Sequence, residues 1–151
     1  MQAMARSQAF TAIPNRPVGS RRAAWTGRTL STIAVLFLVF DSVGKLLRLD
    51  PVVAGTIQLG YPASVVVGLG VLLLLCVVAY VIPSTSVLGA LLLTGYLGGA
   101  VATHVRVQDP LFSHTLFPVY VALLVWGGLV LRNARLRSFL PGGFATTEEK
   151  P

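Results

Sequence analysis

The sequence predicts an all-α integral membrane protein, a four-helix bundle. Two observations carry that prediction. Of 151 residues, 54% are hydrophobic and only 11% charged, where a soluble domain carries about a quarter charged residues. The apolar residues also gather into four runs, at 30–49, 63–82, 87–105 and 111–131, each long enough to cross a hydrocarbon core that needs about 20 helical residues. Lipid gives the backbone no hydrogen-bond partner, so a spanning segment is a helix or part of a closed barrel. Continuous Leu and Val without in-out alternation exclude barrel strands. Low charge with abundant aliphatics excludes a disordered chain, and a single cysteine excludes a disulfide scaffold.

Residues 1–28 hold Arg6, Arg16, Arg21, Arg22 and Arg28 with no acid, and are expected to form a basic, flexible tail. The Arg21-Arg22 pair before an apolar run suggests an export signal, but that run contains Asp41 and Lys45 and lacks a small-residue cleavage site. Asp50-Pro51 is expected to end the first span, Gly60-Tyr61-Pro62 to open the second, Pro83-Ser84 to separate the second from the third, and Asp109-Pro110 to precede the fourth. The bundle domain is expected over 29–141, followed by a short polar tail at 142–151.

Charges inside a span are rare and face a bundle interior or a wet cavity. Asp41, Lys45 and Arg48 lie at i, i+4 and i+7 on one face of the first helix. Asp41 sits about 16 Å into its span, deep for a residue that merely neutralises Lys45. The third helix runs parallel to the first, which brings His104 to a depth of about 27 Å against about 22 Å for Lys45. Asp41, Lys45, Arg48, His104 and Arg106 therefore form a candidate polar pocket, with His114 a further candidate at its mouth. Neither an H-x-x-x-H pair nor a Cys/His cluster is present, so no metal is expected, and nothing in the sequence requires a cofactor. Cys76, alone in mid-span, has no partner for dithiol chemistry. Gly95, Gly98 and Gly99, continued by Ala102 and Thr103, form a small-residue surface expected to be a close helix contact, within the bundle in preference to an interface with another chain. The basic flanks are expected to meet anionic lipid; nothing resembles a groove-reading helix or a stacking sheet, so nucleic acid is not an expected partner.

The segment Phe37-Leu38-Val39-Phe40-Asp41-Ser42-Val43-Gly44-Lys45 resembles the first-helix pattern of the DoxX-like family of small bacterial membrane proteins. So do Leu59-Gly60-Tyr61-Pro62, the stretch from Thr94 to Ala100, Thr103-His104-Val105-Arg106, and Trp126-Gly127-Gly128-Leu129. The resemblance implies a four-helix bundle and a place near quinone-linked redox chemistry, as an accessory subunit serving a membrane redox partner rather than as a stand-alone enzyme. A binder or carrier of a small lipophilic or anionic molecule, and a purely structural protein, are the rival readings.

Five arginines before the first span and Arg132, Arg135, Arg137 and Lys150 after the last place nine of the 12 basic residues on the side of the chain ends. The positive-inside rule puts both termini in the cytoplasm of a cell whose plasma membrane the protein crosses. Reporter fusions after Arg137 and between Pro51 and Gly60 should report opposite sides; an extracytoplasmic C-terminal reporter would overturn the orientation.

Overall fold

A computed structural model describes residues 19–133 and Leu136, and the described residues contain helices and no strand. The five helices are α1 (Gly19–Leu46), α2 (Asp50–Gln58), α3 (Val66–Val81), α4 (Ser86–Arg106) and α5 (Phe117–Arg132). Four segments, Arg21–Leu46, Ala63–Val81, Ser86–Arg106 and Leu111–Arg132, are long and apolar enough to cross a bilayer. They run up and down and pack as a ring, α1 on α3, α3 on α4, α4 on α5 and α5 back on α1.

Three expectations are corrected. The helix that includes the first apolar run already begins at Gly19, so Arg21, Arg22 and Arg28 belong to α1 and not to a tail; residues 1–18 and the tail at 142–151 lie outside the described residues. Asp50-Pro51 does not simply stop α1: it starts the extra helix α2, because proline's fixed φ and missing N–H suit a first helical turn as well as a stop. The fourth span is not uniformly α-helical either. It enters through a wide turn at Leu111–Thr115, where Thr115 N bonds Pro110 O and Leu116 N bonds Leu111 O, and becomes α5 only near Pro118, which has no N–H to donate.

The end of the bundle that carries the chain ends is closed tightly. A Cβ on Gly27 would lie 2.7 Å from Arg132 N, and one on Gly128 2.5 Å from Ser31 Oγ, so α1 and α5 meet backbone to backbone there. A Cβ on Gly89 would lie 2.2 Å from Tyr80 N, so α3 and α4 do the same. Gly95, Gly98 and Gly99 are different. A Cβ on any of them meets nothing within 4 Å, which overturns their expected role as a close contact within the bundle.

Tyr80 sits at the centre of the closed end with 0% exposure. Its hydroxyl donates to Val125 O at 2.8 Å and accepts from Ser31 Oγ at 2.9 Å, joining α3 to α5 and α1. The Arg132 guanidinium lies 4.8 Å from the ring centroid and donates to Tyr80 O at 3.3 Å. Around this lie Leu73, Val77, Ala90, Leu93 and Leu129, all buried.

At the opposite, distal end three helices finish with the same left-handed cap. Leu49 N reaches back to Gly44 O and Arg48 N to Lys45 O; Tyr61 N to Thr56 O and Gly60 N to Ile57 O; Asp109 N to His104 O and Gln108 N to Val105 O. The cap residues Arg48, Gly60 and Gln108 have φ of 51°, 83° and 59°. A proline, Pro51, Pro62 or Pro110, follows each cap closely and prevents the helix from resuming in line.

Gly128→Leu should destabilise the detergent-solubilised protein by about 2 kcal/mol or more, because over-packing a helix contact separates backbones. Gly98→Leu, which fills open space, should leave the melting temperature near wild type. Equal losses in the two variants would contradict this division into tight and open glycines.

Candidate functional site

Towards the distal end the ring opens around a cavity of about 510 Å³. Its walls are mostly apolar, among them Phe37 from α1, Leu69 and Leu72 from α3, Leu97 from α4, and Phe117 and Val121 from α5. Pro51, Val52, Gly55 and Thr56 of α2 turn one helix face to it, so α2 is its roof. Pockets of about 300–1,000 Å³ with apolar walls and a few placed polar groups hold single small molecules.

The polar groups arrive from three directions. Lys45 Nζ donates to Asp41 Oδ1 at 2.5 Å across one turn of α1, and both residues line the cavity. Gly70 fixes where this pair stands. A Cβ there would lie 2.8 Å from Lys45 Cβ, so α3 approaches α1 at that turn, and the buried Ser42 Oγ donates to Gly70 O at 2.8 Å.

His104 lines the cavity from α4. The left-handed turn at Gln108 folds Asp109 back, and His104 Nδ1 donates to Asp109 Oδ2 at 2.6 Å. That bond orients the ring and leaves Nε2 as the nitrogen that can take or give a proton. His114 approaches with its ring centroid 6.2 Å from that of His104, but does not line the cavity. Among the described residues no three His, Cys, Asp or Glu side chains gather as a metal site.

Two of the sequence-predicted pocket residues lie outside the cavity wall. Arg48 is exposed, and its place in the fold is that of the cap residue of α1. Arg106 braces the rim: its Nη2 donates to Leu59 O at 2.6 Å, and the guanidinium lies 5.9 Å from the Tyr61 ring centroid. The structure thus gathers Asp41, Lys45 and His104 on one cavity, with Arg106 holding the α2–α3 connection at its edge.

Depth along helix one and charge content pointed to those residues but missed the tyrosines. Tyr61 donates to Thr103 Oγ1 at 2.9 Å, because Thr103 spends its own proton on Gly99 O at 2.9 Å. Tyr96 lines the cavity between Gly95 and Leu97. A phenol flanked by glycines in mid-span is the available signal, and in a linear sequence such glycines resemble a packing surface.

An up-and-down ring of four membrane-length helices around a mixed polar and apolar cavity defines a small multi-pass membrane protein. The sequence model of the DoxX-like family matches residues 29–128, and the chain belongs to that family. No curated protein and no solved structure matches the chain. The quinone implied by the earlier resemblance fits the lining in kind. A flat apolar ring suits walls such as Phe37 and Leu69, and carbonyls suit the donors Lys45 and Tyr96 on the same cavity.

Removing one partner of this part-buried ion pair strands the other charge, at a cost below the roughly 3 kcal/mol of a fully buried pair. Asp41→Asn and Lys45→Met should each lower membrane abundance, while the double variant should recover abundance and still lose function. Full function in the double variant would make the pair purely structural.

Proposed function

We propose that this protein binds one small lipophilic molecule with a polar head in the distal cavity, as an accessory subunit that serves a quinone-linked redox partner in the plasma membrane. The observation that supports this reading is the cavity itself, where the Asp41–Lys45 pair and His104 stand against apolar walls in a chain otherwise suited to lipid. A deep ion pair is an expensive way to build a bundle and a useful way to hold a polar head. A bound quinone would supply electron and proton exchange with the partner's redox centre. The chain's own share is to place the head beside Lys45 and to hold a proton at His104 Nε2, with Asp109 fixing the ring. With both termini in the cytoplasm, the cavity lies in the outer leaflet.

Purification of the full chain in mild detergent, followed by an absorption spectrum and mass spectrometry of bound species, tests the reading. A co-purifying lipophilic molecule is expected in the wild type and should be lost in Asp41→Asn with Lys45→Met. A ligand at about 100 times its Kd stabilises by about 2.7 kcal/mol, so adding a soluble quinone should raise the melting temperature. Folded protein with no bound species and no such rise would overturn it.

A further inference from the structure

A molecule held in the cavity needs a route to it and a group that meets its polar head. Gly95 and Gly99 stand one turn apart on α4, both exposed and both lining the cavity. They continue the outward-facing line of Leu88 and Leu92, which are 54% and 46% exposed. Leu72 on α3 is 51% exposed and lines the cavity too. A Cβ on either glycine meets nothing within 4 Å, whereas one on Gly89, lower on the same helix, would lie 2.2 Å from the backbone of α3. Helices α3 and α4 are in contact at the closed end, and towards the distal end exposed residues of both, Leu72 on one and Gly95 and Gly99 on the other, line the cavity, so it reaches the surface between them. The bond from Tyr61 to Thr103 closes the far edge of this gap. What remains is a side opening about one helical turn long, roughly 5.4 Å along α4, a length that a single hydrocarbon chain fills.

Inside that opening the polar groups on the lining are nearly all engaged: Asp41 with Lys45, Thr56 with Val52 O, Tyr61 with Thr103, and His104 with Asp109. Tyr96 is the exception, with no hydrogen-bond partner for its hydroxyl among the described residues. Tyr96 is half-buried, and once a lipophilic molecule displaces water from the cavity an unpaired phenol there costs free energy, so its partner is sought on that molecule.

We propose that the cavity is loaded sideways from the bilayer through the Gly95–Gly99 opening, by a single-tailed amphiphile whose head accepts a hydrogen bond from Tyr96 and whose tail lies out between α3 and α4. This rests on the cavity being a binding site and adds the route, the number of tails and the residue that meets the head.

The test uses the full chain in nanodiscs and two photoreactive diazirine ketones with the same head, one octadecyl and one hexyl. The hexyl probe is short enough to lie wholly inside. In the wild type both should label cavity peptides. Gly95→Leu with Gly99→Leu should cut labelling by the octadecyl probe about tenfold or more, equal to about 1.4 kcal/mol, and leave hexyl labelling within about twofold. Gly98→Leu, exposed but off the lining, should behave as wild type. Tyr96→Phe should weaken both probes. Unchanged octadecyl labelling in the double glycine variant would overturn the side entry while leaving the cavity a binding site. Absence of cavity labelling by either probe in the wild type would overturn both. Should the double variant fail to fold, Leu72→Ala decides: widening the gap should raise octadecyl labelling severalfold with hexyl labelling unchanged, and no rise would overturn the proposal.

Discussion

The hydroxyl of Tyr80 is the fixed point of this molecule. In hydrocarbon there is no water to take an idle phenol, so the group must find partners within the protein. It finds Ser31 on α1 and Val125 on α5, and the two bonds hold three spans at one level. Close approach makes those bonds reachable, and close approach needs Gly128 beside Ser31 and Gly89 beside Tyr80. Small residues and one polar group therefore work as a unit: the glycines bring the backbones together and the tyrosine sets their register.

The open end follows from the closed one. Bulky side chains replace the glycines there, and Phe37, Leu72 and Phe117 line the space between the helices. The chain does not fill the resulting space with a larger core. It roofs it with α2 and places an ion pair, a carboxylate-oriented histidine and a free phenol on its wall. A close contact between α3 and α1 reaches into this half, Gly70 against Lys45, and it fixes the charge pair.

The architecture was legible in the sequence because hydropathy over about 20 residues is a strong and local signal. The four spans, the Asp41–Lys45 pair and the depth of His104 at the same end of the bundle follow from composition, helical spacing and rise. What was not legible depends on rotation about the helix axis. Gly95, Gly98 and Gly99 look like a packing surface in any linear reading, and only the backbone shows that the packing glycines are Gly27, Gly70, Gly89 and Gly128. Arg48 was assigned to the pocket by its spacing from Asp41, but α1 ends at Leu46, and a left-handed turn carries Arg48 off that face. The helix α2 was hidden because nine residues are too few to register as a span, and Asp-Pro marks a helix start as readily as a stop.

The ring closes through the contact most distant in the chain, α1 against α5. Membrane chains are delivered from the N-terminus onward, so α1, α3 and α4 enter the bilayer before the helix that completes the circle exists. Until then Gly27 faces lipid, Tyr80 lacks its acceptor on Val125, and the side of α1 that bears Ser31 is uncovered. The half-made protein is an open arc whose tyrosine has Ser31 on α1 but not yet Val125. Assembly is thus ordered by synthesis itself, with the last span acting as the keystone. A polypeptide arrested before residue 125 would expose to quality control the same groups that later make the bundle rigid.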